Sequence, residues 1–572
     1  MEDKIISPEL QMLRNNKESG YNYRQKRHTE WEENYSLYRD RPVVNRLIQR
    51  QSVHVPLMKQ TVRTLLKDID DMPVLYFENL DNDKDAEIFK NEYWKWTVEK
   101  NNMELQDLVD KRQVLLFGRS FDQWQIVDGK VVMNVIDPMD IMVSRFMNPY
   151  DLHSSRFLIH NHIFVSLGQL EKDERYDKDA IRRIKAFYKT DDGIIKNATN
   201  QQSLIDKNQK MIIMGDTDVD NPIVGETIVE LSLHFVFRKE EDDEEEQIYL
   251  YVECDDMEIL MKERLEDVMG ETKDHFFRDH FPYVSWAEDL ERQDFWCDGP
   301  ADIVRTPNKI LDSDFSQLAE NRTLKNFNMH YYNGTKEGFT PQTFQPTAWG
   351  WYPVPGDPSE IIKDVVVPDL SESLDEMMFI IQMVEKATGA TATQQGQATE
   401  RKITLGEVQL ALGEAKERVK GMSKFYTPAW KQRGEMFAKI VEAGGDKLDA
   451  VKVYKKGNIT QDIYSREVGP SDWTTPLGYT VKVWSQDEKD AKTTEDLQKI
   501  DAVSANMPGN PKLEEIKQRK LLQWVDLTPD EVNEVMEYEN MRRQAMLSSP
   551  LGMTGASMMA PPQAPPAGQP MM

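Results

Sequence analysis

Several residue types and motifs that would announce a function are scarce or missing. Only 2 cysteines, Cys254 and Cys297, occur in 572 residues. They could pair in principle, but so few argue against a disulfide-stapled secreted scaffold and fit inert thiols in a reducing compartment. No apolar run approaches eighteen residues, and MEDKIISPEL at the N-terminus is acidic where a signal peptide is basic and then apolar. The expectation is a soluble chain assembled in the cytoplasm, with no membrane partner. No G-x-x-x-x-G-K-[ST] phosphate loop, G-x-S-x-G elbow or H-E-x-x-H zinc helix is present. The chain is therefore expected to have no catalytic residues, no metal and no cofactor, and not to be an enzyme.

Basic charge is short as well. The chain carries 71 Lys and Arg against 99 Asp and Glu, a formal charge of -28. Residues 1–67 hold 13 basic and 8 acidic groups, so the excess of acid lies in the rest. Such a surface does not grip nucleic acid by counter-ion release, which needs clustered Lys and Arg. Paired carboxylates are so frequent here that they carry no information about two-carboxylate or two-metal catalysis. His160 and His162 would share one face of a strand, as a metal pair could, but no third ligand is near and a structural role is expected. His275 and His280, five apart, receive none.

What is present is enough apolar material, 39% with 12 Trp, to fold two to four units. Residues 22–70 read as helix through Trp31, Tyr35 and Tyr38, and 83–116 as a second helical stretch. The texture then changes to short strands: SFDQWQIV, a turn at Asp128-Gly129, and KVVMNVI up to Asp137-Pro138 form a predicted hairpin. A helix at about 167–188 precedes a polar stretch, 189–222. TIVELSLHFVFRK and QIYLYVEC form another hairpin, joined by seven consecutive acids, 240–246, expected to be a solvated tip.

From Gly299 the pattern is helical again. Thr306-Pro307 is expected to cap a helix carrying Ile310, Leu311, Phe315, Leu318 and Leu324, ending near Asn333-Gly334. A compact insertion with six prolines and with Trp349, Trp351 and Tyr352 follows. Asp369 and Glu372 form a capping box for a helix with Leu370, Leu374, Met377, Ile381 and Val384 on one seam, stopped by Gly389. KATGATATQQGQATERKITLGE (386–407) then crosses a dozen small, polar, uncharged residues. Thr404 and Glu407 open a third helix with a narrow seam, Val408, Leu412, Ala415, Val419 and Met422, which Pro428 should kink or end before it resumes to Gly444. A short β region (451–484, YTVKVW its clearest strand), three helical stretches to 548 and an uncharged Met/Pro/Ala/Gly tail complete the chain.

Taken in order, these elements resemble the portal protein of tailed bacteriophages, the ring at one capsid vertex through which the genome is packaged and ejected. NVIDPMDIMVSR (134–145), DGPADIVRTPNKILDSDF (298–315), NFNMHYYNGT (326–335), ERKITLGEVQLALGEAKERV after Gly389, and NPKLEEIKQRKLLQWVDLTPDEVNEVMEYE carry the resemblance. It implies an α+β, mainly helical fold: a wing over 1–299, stem helices over 300–330 and 369–388, and a clip over 331–368. A tunnel loop would span 389–403, a wing-spanning helix with returning strands 404–484, a short helical crown 485–548 and a disordered tail 549–572.

The same resemblance implies a dodecameric ring around double-stranded DNA. Its partners would be the terminase large subunit, the major capsid protein and head-completion or tail adaptor proteins, in a virion assembled in the host cytoplasm. Trp349, Trp351 and Tyr352 would sit in the clip, where terminase or adaptor docks. Gln394, Gln395 and Gln397 would offer amides at the constriction, with Arg401 and Lys402 as transient phosphate contacts or as partners of Glu400 and Glu407. The missing phosphate loop fits a conduit served by a separate motor, and a mostly acidic wall would let a polyanion slide. Two other readings stand beside it. One is a different virion component, adaptor or scaffold. The other is a nucleic-acid-processing enzyme touching DNA through RQKRH (24–28), a segment otherwise expected to be a solvated helix face.

Overall fold

Ser7 and Pro8 start the first helix: the Ser7 hydroxyl accepts from the Leu10 N–H, and Pro8 takes a first-turn position where its missing N–H costs nothing. The computed structural model describes residues 7–41, 53–69, 72–80, 84–188, 228–240, 243, 245–289, 294–326, 330–332, 362–364, 370, 373–389, 426–448, 451–456, 463–468, 473, 478–484, 535, 538 and 541. Helix α1 (Pro8–Tyr38) begins well before residue 22, and the expected 22–70 helix is in fact α1 and α2 (Leu57–Asp68). The break falls where Asp40 adopts a φ of 57°. The stretch 83–116 is likewise two helices, α3 (Lys84–Lys100) and α4 (Met103–Phe117), parted at Asn102 with φ 48°. Asn tolerates that left-handed conformation better than most side chains.

The chain forms two compact units, 1–81 with 97–449 and 470–483, and 82–96 with 450–469 and 484–572. In the first, β2 (Arg119–Val127) and β3 (Lys130–Ile136) form the expected hairpin. Its two-residue turn has Asp128 at φ 48° and Gly129 at φ 71°, the pair of positive angles that a type I′ turn demands. β9 (Tyr283–Ala287) pairs on the other edge of β2. A five-stranded antiparallel sheet runs β4 (Ile141–Val143), β5 (Phe157–Ser166), β6 (Ile228–Arg238), β7 (Gln247–Cys254), β8 (Glu258–Arg264). The helix expected at 167–188 is split into α5 (Leu167–Lys172) and α6 (Lys178–Tyr188), and α7 (Leu265–Met269) follows β8.

Helix α1 lays Leu13 into a cluster of Met142, Phe157, Ile159, Val236, Tyr249 and Tyr251 from the five-stranded sheet. β1 (Val74–Asn79), which the sequence reading leaves out, buries Leu75, Phe77 and Asn79 in alternation and pairs with β14 (Tyr479–Trp484). Both strands close onto the helix α10 (426–444) at Gly434, where a Cβ would lie 2.7 Å from Leu75 and 2.7 Å from Val481. Around that contact Phe77, Phe437 and Trp473 pack edge to face. Antiparallel sheets with helices gathered in separate runs make this an α+β chain.

In the second unit, β12 (Val451–Lys456) and β13 (Ile463–Val468) pair antiparallel, and Tyr93 stacks on Trp96 within α3.

The acidic run between β6 and β7 departs from expectation. Asp243 is buried, accepting from the Gln247 amide at 2.6 Å, the Tyr249 hydroxyl at 2.7 Å and Arg264 at 2.6 Å. Burial raises its pKa, the Tyr249 bond and Arg264 lower it, and the net value lies below the usual carboxylate range. Glu240 pairs with Lys262 and Arg238, and Glu246 with Arg156. Among the described acids of the run, Glu240, Asp243 and Glu246 thus meet cations from neighbouring strands, while Glu245 and Glu246 are exposed.

Candidate functional site

The long helix α8 (Pro300–Asn326) starts six residues before the expected cap. Asp302 accepts the Gly299 N–H at 2.9 Å, so Pro300, and not Pro307, occupies the first turn. Pro307 lies inside the helix, and the neighbouring turns are held from outside. Asn308, Asp312 and Ser316, on one face at four-residue spacing, latch residues 53–58, the segment that leads into the first turn of α2. The Met58 N–H donates to Asn308 at 2.9 Å, Val55 N–H to Asp312 at 2.8 Å and Val53 N–H to Ser316 at 3.0 Å. Asp312 also holds the His54 ring at 2.8 Å. Burial opposes charge on that ring, but the carboxylate outweighs it and lifts the pKa above its ordinary value.

Helix α8 ends at Asn326 rather than near Gly334, because 330–332 form strand β10, paired antiparallel with β11 (Ile362–Asp364) from His330↔Asp364 to Tyr332↔Ile362. This ladder brings the chain back to where it left, and α9 (Ser373–Thr388) runs back along α8 and packs against it. The buried side of α9 is Met377, Ile380 and Val384. Leu374, placed on the seam by the sequence pattern, is exposed, and Ile381 is half-buried. Gly389 stops the helix as expected, with φ 82° and its N–H on the Glu385 carbonyl at 2.9 Å.

Helix α10 contains Pro428 and runs on to residue 444, so the proline does not end it. Its root is a fully buried ionic node. Arg433 Nη2 donates to Asp110 at 2.7 Å and to Asp122 at 2.8 Å, and Nη1 lies 3.6 Å from Asp107. Lys111 pairs with Asp107 at 2.7 Å, and the Tyr426 hydroxyl donates to the same carboxylate. Trp286 and Trp124 give indole N–H bonds to Asp110 and Asp122 at 2.6 and 2.7 Å. Three carboxylates thus face two cations in the buried interior. Burial pushes the Asp122 carboxyl up to about 6 against the pull of Arg433, and the Asp107 carboxyl also stands above its usual value.

A measurable pH dependence follows. The folded pKa of Asp122 exceeds its unfolded value near 4, so its contribution to stability is fullest below about pH 4 and is lost as pH rises through about 6. Asp122→Asn has no such proton to lose. Relative to wild type the variant should gain on the order of 2–3 kcal/mol between pH 4 and pH 7, read from urea midpoints. A constant difference across that range would contradict the assignment.

The candidate residues fare unevenly. Trp349, Trp351, Tyr352, Gln394, Gln395, Gln397, Arg401 and Lys402 all lie outside the described residues, as do 189–222, Asp369, Glu372 and 404–425. The segment 24–28 is a solvated face only in part, with Gln25 and Lys26 exposed. Arg24 is fully buried on the carbonyls of Met139 and Ile141, and Arg27 pairs with Asp302 at 2.8 Å. These cations fix α1 against β4 and α8.

His160 and His162 are separated by a β-bulge, with His162 at φ 59°. Their rings bond Tyr283 at 3.0 Å and Asp140 at 2.7 Å, a structural role. His275, given no role from spacing, meets Glu266 at 2.6 Å with Glu271 close by, and Arg278 already occupies the other Glu266 oxygen at 2.7 Å. Cys254 and Cys297 are buried free thiols, and burial pushes the Cys254 pKa up. No helix among the described residues is long and apolar enough to cross a membrane.

The node escaped sequence reading because Tyr426 and Arg433 lie more than three hundred residues from the carboxylates they meet. Its one local trace is Asp107, Asp110 and Lys111 at helical spacing, which equally fits a solvated face. No protein-family model matches the chain, and no curated protein matches it.

Proposed function

We propose that this chain is a portal subunit of a tailed bacteriophage. Copies form a ring channel at one capsid vertex, through which a separate terminase motor packages the genome and DNA is retained and later ejected. The ring would also carry the tail attachment. The observation that carries the reading is the α8–β10–β11–α9 arrangement. Two packed helices, linked by a paired two-strand neck whose strands have residues 333–361 between them in sequence, have the order of a stem and its clip. The latch on α8 and the ionic node under α10 support it, since a conduit needs its helices on rigid footings. The clip would meet terminase and then adaptor proteins, and the wing would meet the major capsid protein.

Negative-stain imaging of the purified full chain tests the reading. Rings with a central hole are expected. Monomers that cleave or modify DNA would overturn it.

A further inference from the structure

The turn between β7 and β8 carries two acids side by side, Asp255 and Asp256, both with left-handed backbones, at φ 51° and 55°. Asp accepts that conformation more readily than most side chains, but still at a cost. Three elements hold the turn in it. From β6, the Glu230 N–H donates to Asp255 Oδ1 at 3.0 Å, and the Asp255 N–H returns a bond to the Glu230 carbonyl at 3.0 Å. From α6, the Tyr188 hydroxyl donates to Asp255 Oδ2 at 3.1 Å. From α1, Arg14 donates to the Asp256 carbonyl at 3.1 Å and Lys17 to the Asp256 carboxylate at 2.7 Å.

The charges around this turn are committed elsewhere. Lys17 serves Asp256 and the Ser232 hydroxyl, and Arg14 serves a carbonyl. Arg183 of α6 pairs with Glu258 at 3.1 Å. On the sheet, His234 pairs with Glu253 at 2.7 Å, and His162 with Asp140 at 2.7 Å while lying 3.9 Å from Glu230. Glu230 and Glu253 are both buried, and the second Glu253 oxygen has no hydrogen-bond partner. The buried Cys254 thiol touches Asp255 from the other side at 3.9 Å. A negative charge on Asp255 therefore meets those of Glu230 and Asp256, with no described cation paired to it.

We propose that this turn is a pH-sensitive clasp: while protonated, Asp255 holds Tyr188 and the end of α6 on the sheet, and charging it opens the turn towards water. The clasp lies within one chain and operates with or without a ring. Burial, together with the charges of Glu230 and Asp256, outweighs the bonds from Glu230 N–H and Tyr188 and pushes the Asp255 carboxyl up to about 7. In the opened, hydrated turn the same carboxyl titrates near its ordinary value of about 4. The closed clasp thus has its full hold below about pH 4 and loses it as pH rises through about 7. Linkage between the two values makes the opening equilibrium rise roughly 100-fold between pH 5 and pH 8. The Tyr188 phenol, pushed up by burial, keeps its proton throughout.

Hydrogen exchange of the full chain, read by mass spectrometry and corrected for the intrinsic pH dependence of amide exchange, tests the clasp. In wild type, protection of peptides covering 181–188 and 249–262 should fall at least ten-fold between pH 5 and pH 8. In Asp255→Asn it should change less than three-fold, because the amide has no proton to lose. Peptides from β2 and β3 should change alike in both proteins. A flat wild-type profile, or an equal fall in the variant, would overturn the proposal. Tyr188→Phe keeps the test decisive should Asp255→Asn not fold. It removes the α6 tie and leaves the titrating group, so 181–188 should be weakly protected at both pH values while 249–262 still loses protection as pH rises. Unchanged protection of 181–188 in that variant, or a pH-independent 249–262, would likewise overturn the clasp.

Discussion

Arg433→Leu should lower the stability of the larger unit by about 3–5 kcal/mol, the cost of breaking a buried ion pair from one side. The substitution leaves Asp107, Asp110 and Asp122 buried with Lys111 as their remaining cation among the groups that face the node. Most of the loss comes from stranded negative charge, because leucine occupies the space without supplying a donor. Adding Asp110→Asn and Asp122→Asn to Arg433→Leu should therefore recover a large part of it. Arg433→Lys should not rescue, since one guanidinium serves two carboxylates through a planar fork that an ammonium lacks. Urea unfolding followed by tryptophan fluorescence reads the effect directly, as Trp124, Trp286 and Trp430 surround the site. A loss under about 1 kcal/mol would mean that the node is solvated and not buried.

Gly118→Ala is expected to be still more damaging, more than about 4 kcal/mol and enough to deplete soluble protein. Gly118 caps α4 at φ 79° and hands the chain directly to β2. An added Cβ would sit 2.0 Å from the Cys297 carbonyl oxygen, a backbone atom that no rotamer change can move aside. Strain from the left-handed backbone adds to the clash. Gly168→Ala is the control, because nothing lies within 4 Å of its Cβ position. That variant should stay within about 0.5 kcal/mol of wild type. Equal effects at the two positions would contradict the geometry at Gly118.

Local chemistry was the most legible part of this chain. Asp128-Gly129 between alternating strands dictates its own turn, and Gly389 its own helix stop. What required distant partners was not legible. Arg24 and Arg27 look like members of a solvated face until the carbonyls of Met139 and Ile141 and the Asp302 carboxylate meet them. Glu240 and Asp243 look expelled until Lys262 and Arg264 reach them from β8. Pro307 reads as a helix start because the latch that holds the turns beside it engages residues some two hundred and fifty positions earlier. β1 escapes because six residues with a modest alternation become a strand only when β14 arrives.

That last pairing has a consequence for how the protein is made. About 400 residues separate β1 from β14 in the sequence. At 5–20 residues per second, the ribosome delivers the second strand roughly 20–80 s after the first. Through that interval Leu75 and Phe77 belong to an incomplete edge, the kind of surface that captures other nascent chains. Completion of the fold is thus timed by the last portion of the larger unit to be synthesised, and a truncation before residue 479 would leave that edge open permanently.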